Sequence, residues 1–428
     1  MAEIKAFKGL RYTEKAGDIG NLCCPPYDII NAEQHEALIR KDQHNLVRLE
    51  LPAFDGCEDM APYKGAAETL RFWLEQDILR RDEQECLYIY EMIFSALGST
   101  HSVKGFVSLV KLEPFSSGVI LPHEETLSKA KSDRFNLMKA TGCNFSQIYS
   151  LYMDGDGSVF DLINSASQGA PDSEFTDGDN VTHKLWCVSD PSVISAIAAK
   201  MSDKKLYIAD GHHRYETALN YQKYVQDNLD ESGTSDYVPM MLVNMENSGL
   251  VVFPTHRIVR DLSGFDYNAV CEKCREYFTV TPYLNREKGE QGLERAYNEG
   301  RKAFVLFTGD NNYTLLELND IGVMEQFIPN ASKALRELDV SILHTLILER
   351  IFGIDKENMA HQINLTYTRS ADEALAAVDG QRANCAFLLN PTRVSEIRDV
   401  AAAGEKMPQK STYFYPKLTT GLVMNKIF

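Results

Sequence analysis

The chain has 428 residues, with 44 Lys+Arg against 61 Asp+Glu and a formal net charge of −17. A hydrophobic fraction of 44% and a charged fraction of 25% exclude fibrous and disordered classes, and at roughly 150 residues per domain the length predicts two or three compact units. No apolar run approaches the ~18–20 residues of a membrane span, and an acidic chain without a basic stripe repels nucleic acid, so the expected ligands are small.

The first residues, Met1 to Phe7, lack the apolar run of a signal peptide, and a cytoplasmic location is expected. Nine cysteines at irregular spacings predict reduced thiols rather than a disulfide framework.

In chain order, the first motif is CCPPYDII, ending at Ile30. Two prolines predict a stiff extended loop that either presents Tyr27 and Asp28 to a cleft or simply turns the chain. A helix is predicted over Lys64–Leu79, with Ala66, Leu70 and Trp73 on one face, followed by strands at Cys86–Phe94 and Lys104–Leu112. LPHEETL then places Leu127 where a zinc-protease helix needs its second histidine, so that chemistry is excluded. His123, Glu124, Thr126, Lys129, Lys131 and Arg134 form either a site for a polar ligand, such as an amino acid or phosphate, or a solvated helix start. The polar stretches Asp154–Asp179 and Asp227–Asp236 read as exposed connections.

A strand at Lys204–Ala209 runs into DGHHR, and further strands are predicted at Pro239–Asn244 and Gly249–Pro254. The second of these leads into PTHRIV, where His256 and Arg257 emerge at a strand end suited to substrate contacts. A domain change is predicted near Asp261–Gly264. Beyond it, Cys271 and Cys274 lie in an amphipathic helical pattern without a second pair, which argues against zinc. Strands at Lys302–Phe307 and Cys385–Asn390 flank a helix predicted over Leu335–Ile351. GEKMPQKS resembles a phosphate-cradling loop but has Gln409 in place of the second glycine and follows a helix-like run, so an ordinary P-loop is rejected. Lys410, Ser411, Thr412 and Lys417 remain candidates to reach a phosphate from a C-terminal lid.

The DGHHRYETAL segment carries most of the chemistry. A strand ends at Asp210-Gly211 and a helix begins at once, so main-chain N–H groups and the positive end of the helix dipole converge where Gly211 allows close approach. His212, His213 and Arg214 add side-chain donors, and a guanidinium can grip two phosphate oxygens. Asp210 is expected to act as a base or to hold Mg²⁺. The alternative is a simple N-cap with two filler histidines.

DGHHRYETAL, CPPYDII, LPHEETLSKAKSDR, LVNMENSGLVVFPTHRIV and MPQKSTYFYPK together resemble the family catalogued as domain of unknown function 1015, whose name carries no reaction. The D-G-H-H-R turn is also similar to the phosphate-binding turn of the ParB/sulfiredoxin superfamily, which includes a free-serine kinase. That resemblance implies an α+β fold: a ParB/sulfiredoxin-like nucleotide-binding core over 1–260 with a mixed-sheet insertion at about 87–200. A C-terminal α/β domain over 261–428 would follow, with a lid at 404–418. It implies phosphate binding by Gly211, His212, His213 and Arg214, and catalysis by Asp210. His212, His213 and Glu124 are the further catalytic candidates.

The expected function is a Mg²⁺-assisted phosphotransferase or phosphohydrolase using ATP or ADP on a small polar metabolite, with serine or phosphoserine as the specific substrate implied by the kinase-like branch. The alternative is a nucleotide-binding regulatory switch, similar to ParB, acting through a partner without turnover.

Overall fold

The computed structural model describes residues 1–52, 59–124, 128–230 and 233–428. Thr126 and the side chain of Lys129, both expected near a polar ligand, lie outside the described residues. The chain forms two units: residues 1–122, 126–251 and 416–428 in the first, and residues 123–125 and 252–415 in the second. The division falls between Val251 and Val252 rather than at 260, and the expected lid is split at residue 416.

Among the described residues, unit 1 is built on a nine-stranded mixed sheet. Its strands are β1 (Ile4–Lys5), β2 (Leu87–Ala96), β3 (Ser99–Lys111), β4 (Ile120–Leu121), β5 (Ile148–Tyr152), β6 (Ser173–Thr176), β7 (Thr182–Val188), β8 (Leu206–Asp210) and β9 (Tyr237–Asn244). Their order is β4-β8-β5-β9-β3-β2-β7-β6, with β1 beside β3. β2 and β3 form a hairpin whose two turn residues, Leu97 and Gly98, have φ of 52° and 76°, the left-handed pair that matches strand twist. β8 runs parallel to β4 and antiparallel to β5, and its register with β5 slips between Ile208 and Asp210. Such a bulge re-aims the side chains that follow it.

Three helices frame that end of the sheet: α1 (Ala61–Glu75), α2 (Ser128–Thr141) and α3 (His212–Asn228). The apolar face predicted on the first is real, since Ala66, Leu70 and Trp73 are buried with Leu137 of α2. Tyr215 and Ala218 of α3 are buried with Leu206 and Ile208 of β8. The stretch 154–179, expected as an exposed connection, instead contains a helix, Ser158–Ala166, and strand β6. Its polar start serves to cap: Asp154 is buried and accepts the N–H groups of Val159 at 2.9 Å and Phe160 at 3.2 Å. The C-terminal residues return to unit 1, where Asn425–Lys426 pairs with Cys143–Asn144 and Cys24 bridges to Thr420.

Unit 2 contains an antiparallel sheet of β10 (His256–Val259), β11 (Phe278–Tyr283), β12 (Ala303–Phe307), β13 (Tyr313–Leu318), β14 (Leu365–Thr368) and β15 (Cys385–Leu388), in the order β11-β13-β12-β15-β10-β14. Helices α4 (Arg286–Asn298) and α5 (Ala371–Asp379) bury Leu293, Ala296, Leu375 and Val378 against Val305, Leu315 and Ala386. The single helix expected over Leu335–Ile351 is broken into Lys333–Arg336, Asp339–Ile342 and a π-helical segment, Leu343–Glu349. The apolar spacing 335, 338, 342, 346 is common to one α-helix and to these pieces, so periodicity alone did not separate them.

Candidate functional site

The strand-to-helix turn forms where the sequence predicts it: β8 ends at Asp210 and α3 starts at His212. Gly211 between them has φ +94°, and a Cβ there would lie 2.9 Å from Arg214 Nε and 3.0 Å from its Cζ. Glycine is therefore required twice, by backbone conformation and by the close approach of the guanidinium. The first intrahelical bond runs from the N–H of Tyr215 to the Gly211 carbonyl, so the N–H groups of the turn before it have no partner within the helix, the arrangement that receives anions at helix starts. His212 is buried and His213 half-buried.

Arg214 is more committed than a phosphate clamp would be. Its Nη2 donates to Asp210 Oδ2 at 2.6 Å, and its Nη1 donates to the carbonyl of Gln147. The other Asp210 oxygen is bonded to the Lys417 ammonium. Burial alone would raise the Asp210 carboxyl, but Lys417 and then Arg214 outweigh it and hold the group well below the usual carboxylate range. A carboxylate so firmly ionised is a weak proton acceptor, which corrects the expectation of Asp210 as general base. The expected Mg²⁺ ligand role does not fit either, because both oxygens are engaged by cations that repel a metal ion. Among the described residues no cluster of three or more His, Cys, Asp or Glu forms a cation site.

The turn is backed by a second charged group within unit 1. Arg134 is buried, donates through Nη1 to the Glu50 carbonyl at 2.6 Å, and lies 3.5 Å from the Glu50 carboxylate. Its Nε donates to Asp133 at 2.7 Å, and its guanidinium stacks over Tyr27 at 4.1 Å. Burial pushes the Glu50 carboxyl up, against the opposing pull of Arg134 and a hydrogen bond from Ser146. Glu50, Arg134, Ser146, Arg214 and Thr217 enclose a cavity of about 30 Å³, room for one water-sized group. Burial works against the charge of Arg214, but Asp210 and then Asp28, Tyr27 and Glu50 keep it protonated. The structure thus gathers Tyr27, Asp28 and Arg134 behind the turn, although Tyr27–Ile29 is a short 3₁₀ turn rather than an extended loop.

Lys131 lies in unit 1 and pairs with Glu216 at 2.7 Å, and the remaining expected residues lie in unit 2. Glu124 Oε1 accepts the N–H of Lys410 at 2.6 Å, and His123 Nε2 meets Thr412 Oγ1 at 2.9 Å. Lys410 holds a left-handed φ of +57°, so Glu124 anchors a strained residue. The Ser411 hydroxyl is buried and donates to the Pro408 carbonyl at 2.5 Å, which commits its proton to the loop. His256 and Arg257 do not emerge from a strand end; they begin β10 and are buried. His256 Nδ1 accepts the N–H of Leu389 at 3.2 Å, and burial, then the neighbouring Arg257, push its pKa down to about 4. A neutral histidine so placed supports the sheet. Arg257 donates to the Thr255 carbonyl and, at 3.3 Å, to the Lys410 carbonyl, and burial lowers its pKa to about 10.

Sequence reasoning missed Glu50 and Asp133. The only signal for Glu50 was a carboxylate inside the apolar run Leu46–Leu51, where burial demands a partner. Lys417 was singled out for phosphate and instead meets Asp210. Cys271 and Cys274 are buried thiols on the helix Tyr267–Cys274, both raised by burial. No described helix is long and apolar enough to cross a membrane.

Several solved structures resemble the chain at low identity. A conserved hypothetical protein from Pyrococcus furiosus aligns at 16% identity over 75% of this chain and 97% of that one, with a TM-score of 0.36. A free serine kinase in complex with AMP aligns at 14% identity over 75% of this chain and 93% of that one, with a TM-score of 0.38. SbnI with a C-terminal truncation, from Staphylococcus aureus, aligns at 12% identity over 75% of this chain and 87% of that one, with a TM-score of 0.37. At these values the likenesses transfer no residue roles. No curated protein sequence shows a significant match. Residues 4–341 match one family along most of the chain, and the chain belongs to that family, described as "Protein of unknown function (DUF1015)".

Proposed function

We propose that unit 1 binds a nucleotide phosphate on the turn Gly211–Arg214 and transfers a phosphoryl group to or from a small polar metabolite, with serine or phosphoserine as the substrate pair and ATP or ADP as the nucleotide. The observation that carries this reading is the turn itself, where a glycine-opened helix start sits against two cations, Arg214 and Lys417, that share one counter-ion, Asp210. Phosphoryl transfer is chiefly positioning and charge neutralisation, and such a turn supplies both. Serine enters through the resemblance of the D-G-H-H-R turn to the free-serine-kinase branch.

Within this reading, main-chain donors of the first helical turn and the His213 imidazole contact the phosphate. Asp210 positions Arg214 and Lys417. In the kinase direction the serine Oγ–P bond forms as the P–O bond to the departing nucleotide breaks, and the hydroxyl proton passes to His213. In the reverse direction ADP or AMP accepts the phosphoryl group and serine leaves.

The test is phosphorus NMR of the full chain with serine and ATP or ADP, and with phosphoserine and ADP or AMP, each with and without Mg²⁺. Phosphoserine formation or loss that His213→Ala abolishes supports the proposal. Nucleotide binding by calorimetry without product in any combination favours the regulatory switch. Absence of binding overturns both.

A further inference from the structure

Unit 2 contains a cavity of about 610 Å³, within the size range of small-molecule sites. It lies against the π-helical segment Leu343–Glu349 and Ser341, in the short helix that leads directly into it. Phe327, Leu335, Met359 and Met407 contribute an apolar wall. Two polar side chains interrupt that wall: Ser341, 4% exposed, and His344, 6% exposed. Ser341 Oγ and His344 Nε2 are both buried without a hydrogen-bond partner among the described residues. Buried polar atoms without partners are costly and rare, and two lining one cavity point to an occupant. π-Helical insertions, which also cost backbone geometry, concentrate at functional sites. The family match ends at residue 341, so most of this lining lies beyond it.

The chemistry of the pair narrows the ligand. Ser341 and His344 are three residues apart, so their side chains neighbour each other on one face. A hydroxyl and a neutral imidazole can each donate or accept, and together they complement an edge that carries one donor beside one acceptor. Burial, and then the charge of Arg257, disfavour the protonated imidazole, so the pair does not select an anion. The charged residues of the lining, Glu349 and Glu405 against Lys356 and Lys406, are balanced in sign. An aliphatic guest would leave both polar atoms unsatisfied, whereas a flat heterocycle can satisfy them and still cover the apolar wall.

We propose that this cavity binds an uncharged nucleoside, with the donor–acceptor edge of its base on Ser341 and His344 and the base plane against Met359 and Met407. The site is separate from the phosphate turn, and its test does not depend on turnover there.

The experiment uses the full chain labelled with ¹³C at the methionine methyls, titrated with adenosine, guanosine, cytidine and uridine. The signals of Met359 and Met407 are assigned by Met→Leu exchange. At least one nucleoside is expected to shift both signals saturably, while ribose and cyclohexanol leave them in place. Ser341→Ala should weaken that nucleoside by about fivefold to tenfold, as expected for one lost hydrogen bond. Ala331→Trp, which fills the cavity from its half-buried wall and leaves Ser341 and His344 unchanged, should abolish the shift. The proposal is overturned if no nucleoside moves both signals at about 5 mM, a weak-binding ceiling. Unchanged affinity in Ser341→Ala, or a shift that survives Ala331→Trp, overturns it equally.

Discussion

The Lys417 ammonium is bonded to the carboxylate of Asp210 across 207 positions of sequence, and Arg214 holds the other oxygen of that carboxylate at 2.6 Å. One anion therefore fixes two cations at a helix start. This relationship explains why Asp210 is poorly suited to accept a proton and why Lys417, close to the C-terminus, belongs structurally with the turn.

Replacing Lys417 by Met leaves Asp210, a half-buried carboxylate, with a single cation. The expected cost is about 2 kcal/mol, below that of a fully buried pair broken from one side, because the site keeps some solvent and Arg214 remains. The pH dependence carries a defined sign. Asp210 has a folded pKa below its unfolded value, so its contribution is fully present above about pH 4 and is lost only as pH falls towards the folded pKa. In Lys417→Met the folded pKa rises, and the contribution becomes smaller and disappears at higher pH. Urea unfolding between pH 3 and pH 7 measures both effects, and a loss below about 1 kcal/mol at neutral pH would contradict this account of the ammonium.

Asp339 in unit 2 has the opposite sign. Burial pushes its carboxyl up to about 6, with Lys302 partly opposing and Glu396 adding to the rise. A raised acid destabilises the folded state above its folded pKa, and the penalty is relieved as pH falls through 6 towards the unfolded value. Asp339→Asn should therefore raise stability at pH 7.5 by roughly 1–2 kcal/mol and flatten the stability profile between pH 4 and pH 6. Lys302 keeps its second partner, Glu396 at 2.9 Å, so the substitution does not strand a cation. A destabilised variant at pH 7.5 would show that the Lys302–Asp339 attraction outweighs burial.

How much was legible depended on whether a feature announces itself locally. The strands Lys204–Ala209 and Lys302–Phe307, the helix face at Leu70 and Trp73, and the bend at Gly211 were readable because apolar runs, helical spacing and a glycine are written in adjacent residues. The central strand Ile148–Tyr152 was not readable: it is buried on both faces, so it carries no alternation, and it is only five residues long. Strands β10, β11, β13 and β14 of unit 2 were missed as well. Of the charged cluster, Arg214 and Asp210 were legible as neighbours in sequence. Glu50 and the role of Lys417 were not, because their partners come from distant segments, and only burial turns a charged residue into an obligatory pair; Asp133 adjoins its partner Arg134 in sequence but carries no signal of burial.

Two buried arginines should respond differently to removal. Arg257 is fully buried, yet among the described residues it bonds only to the Thr255 and Lys410 carbonyls, its Nε has no partner, and no carboxylate lies within ion-pair distance. Arg134 neutralises Glu50 and Asp133. Arg257→Met removes an expensive buried charge together with two hydrogen bonds, so stability should change by no more than about 1 kcal/mol. Arg134→Met strands two carboxylates and should cost about 3 kcal/mol or more. Equal losses in urea unfolding would refute the distinction.

Gly211 offers the sharpest separation of backbone strain from side-chain collision. Gly118 has φ +68° and nothing within 4 Å of a built Cβ, so Gly118→Ala incurs only the left-handed conformational cost of about 1 kcal/mol. Gly211→Ala incurs a similar backbone cost at φ +94° and also places a methyl 2.9 Å from Arg214 Nε. The guanidinium is pinned by Asp210 and Gln147, so it can yield only by breaking a buried contact, and the expected loss is about 2 kcal/mol greater than at Gly118. The same displacement should remove the upward shift in melting temperature that the proposed binding of ATP or ADP predicts for the native protein, whereas Gly118→Ala should keep it. If Gly211→Ala retained the nucleotide shift with only the Gly118-like loss of stability, the arginine would have room to move, and the turn would not be the rigid phosphate receptor inferred from its geometry.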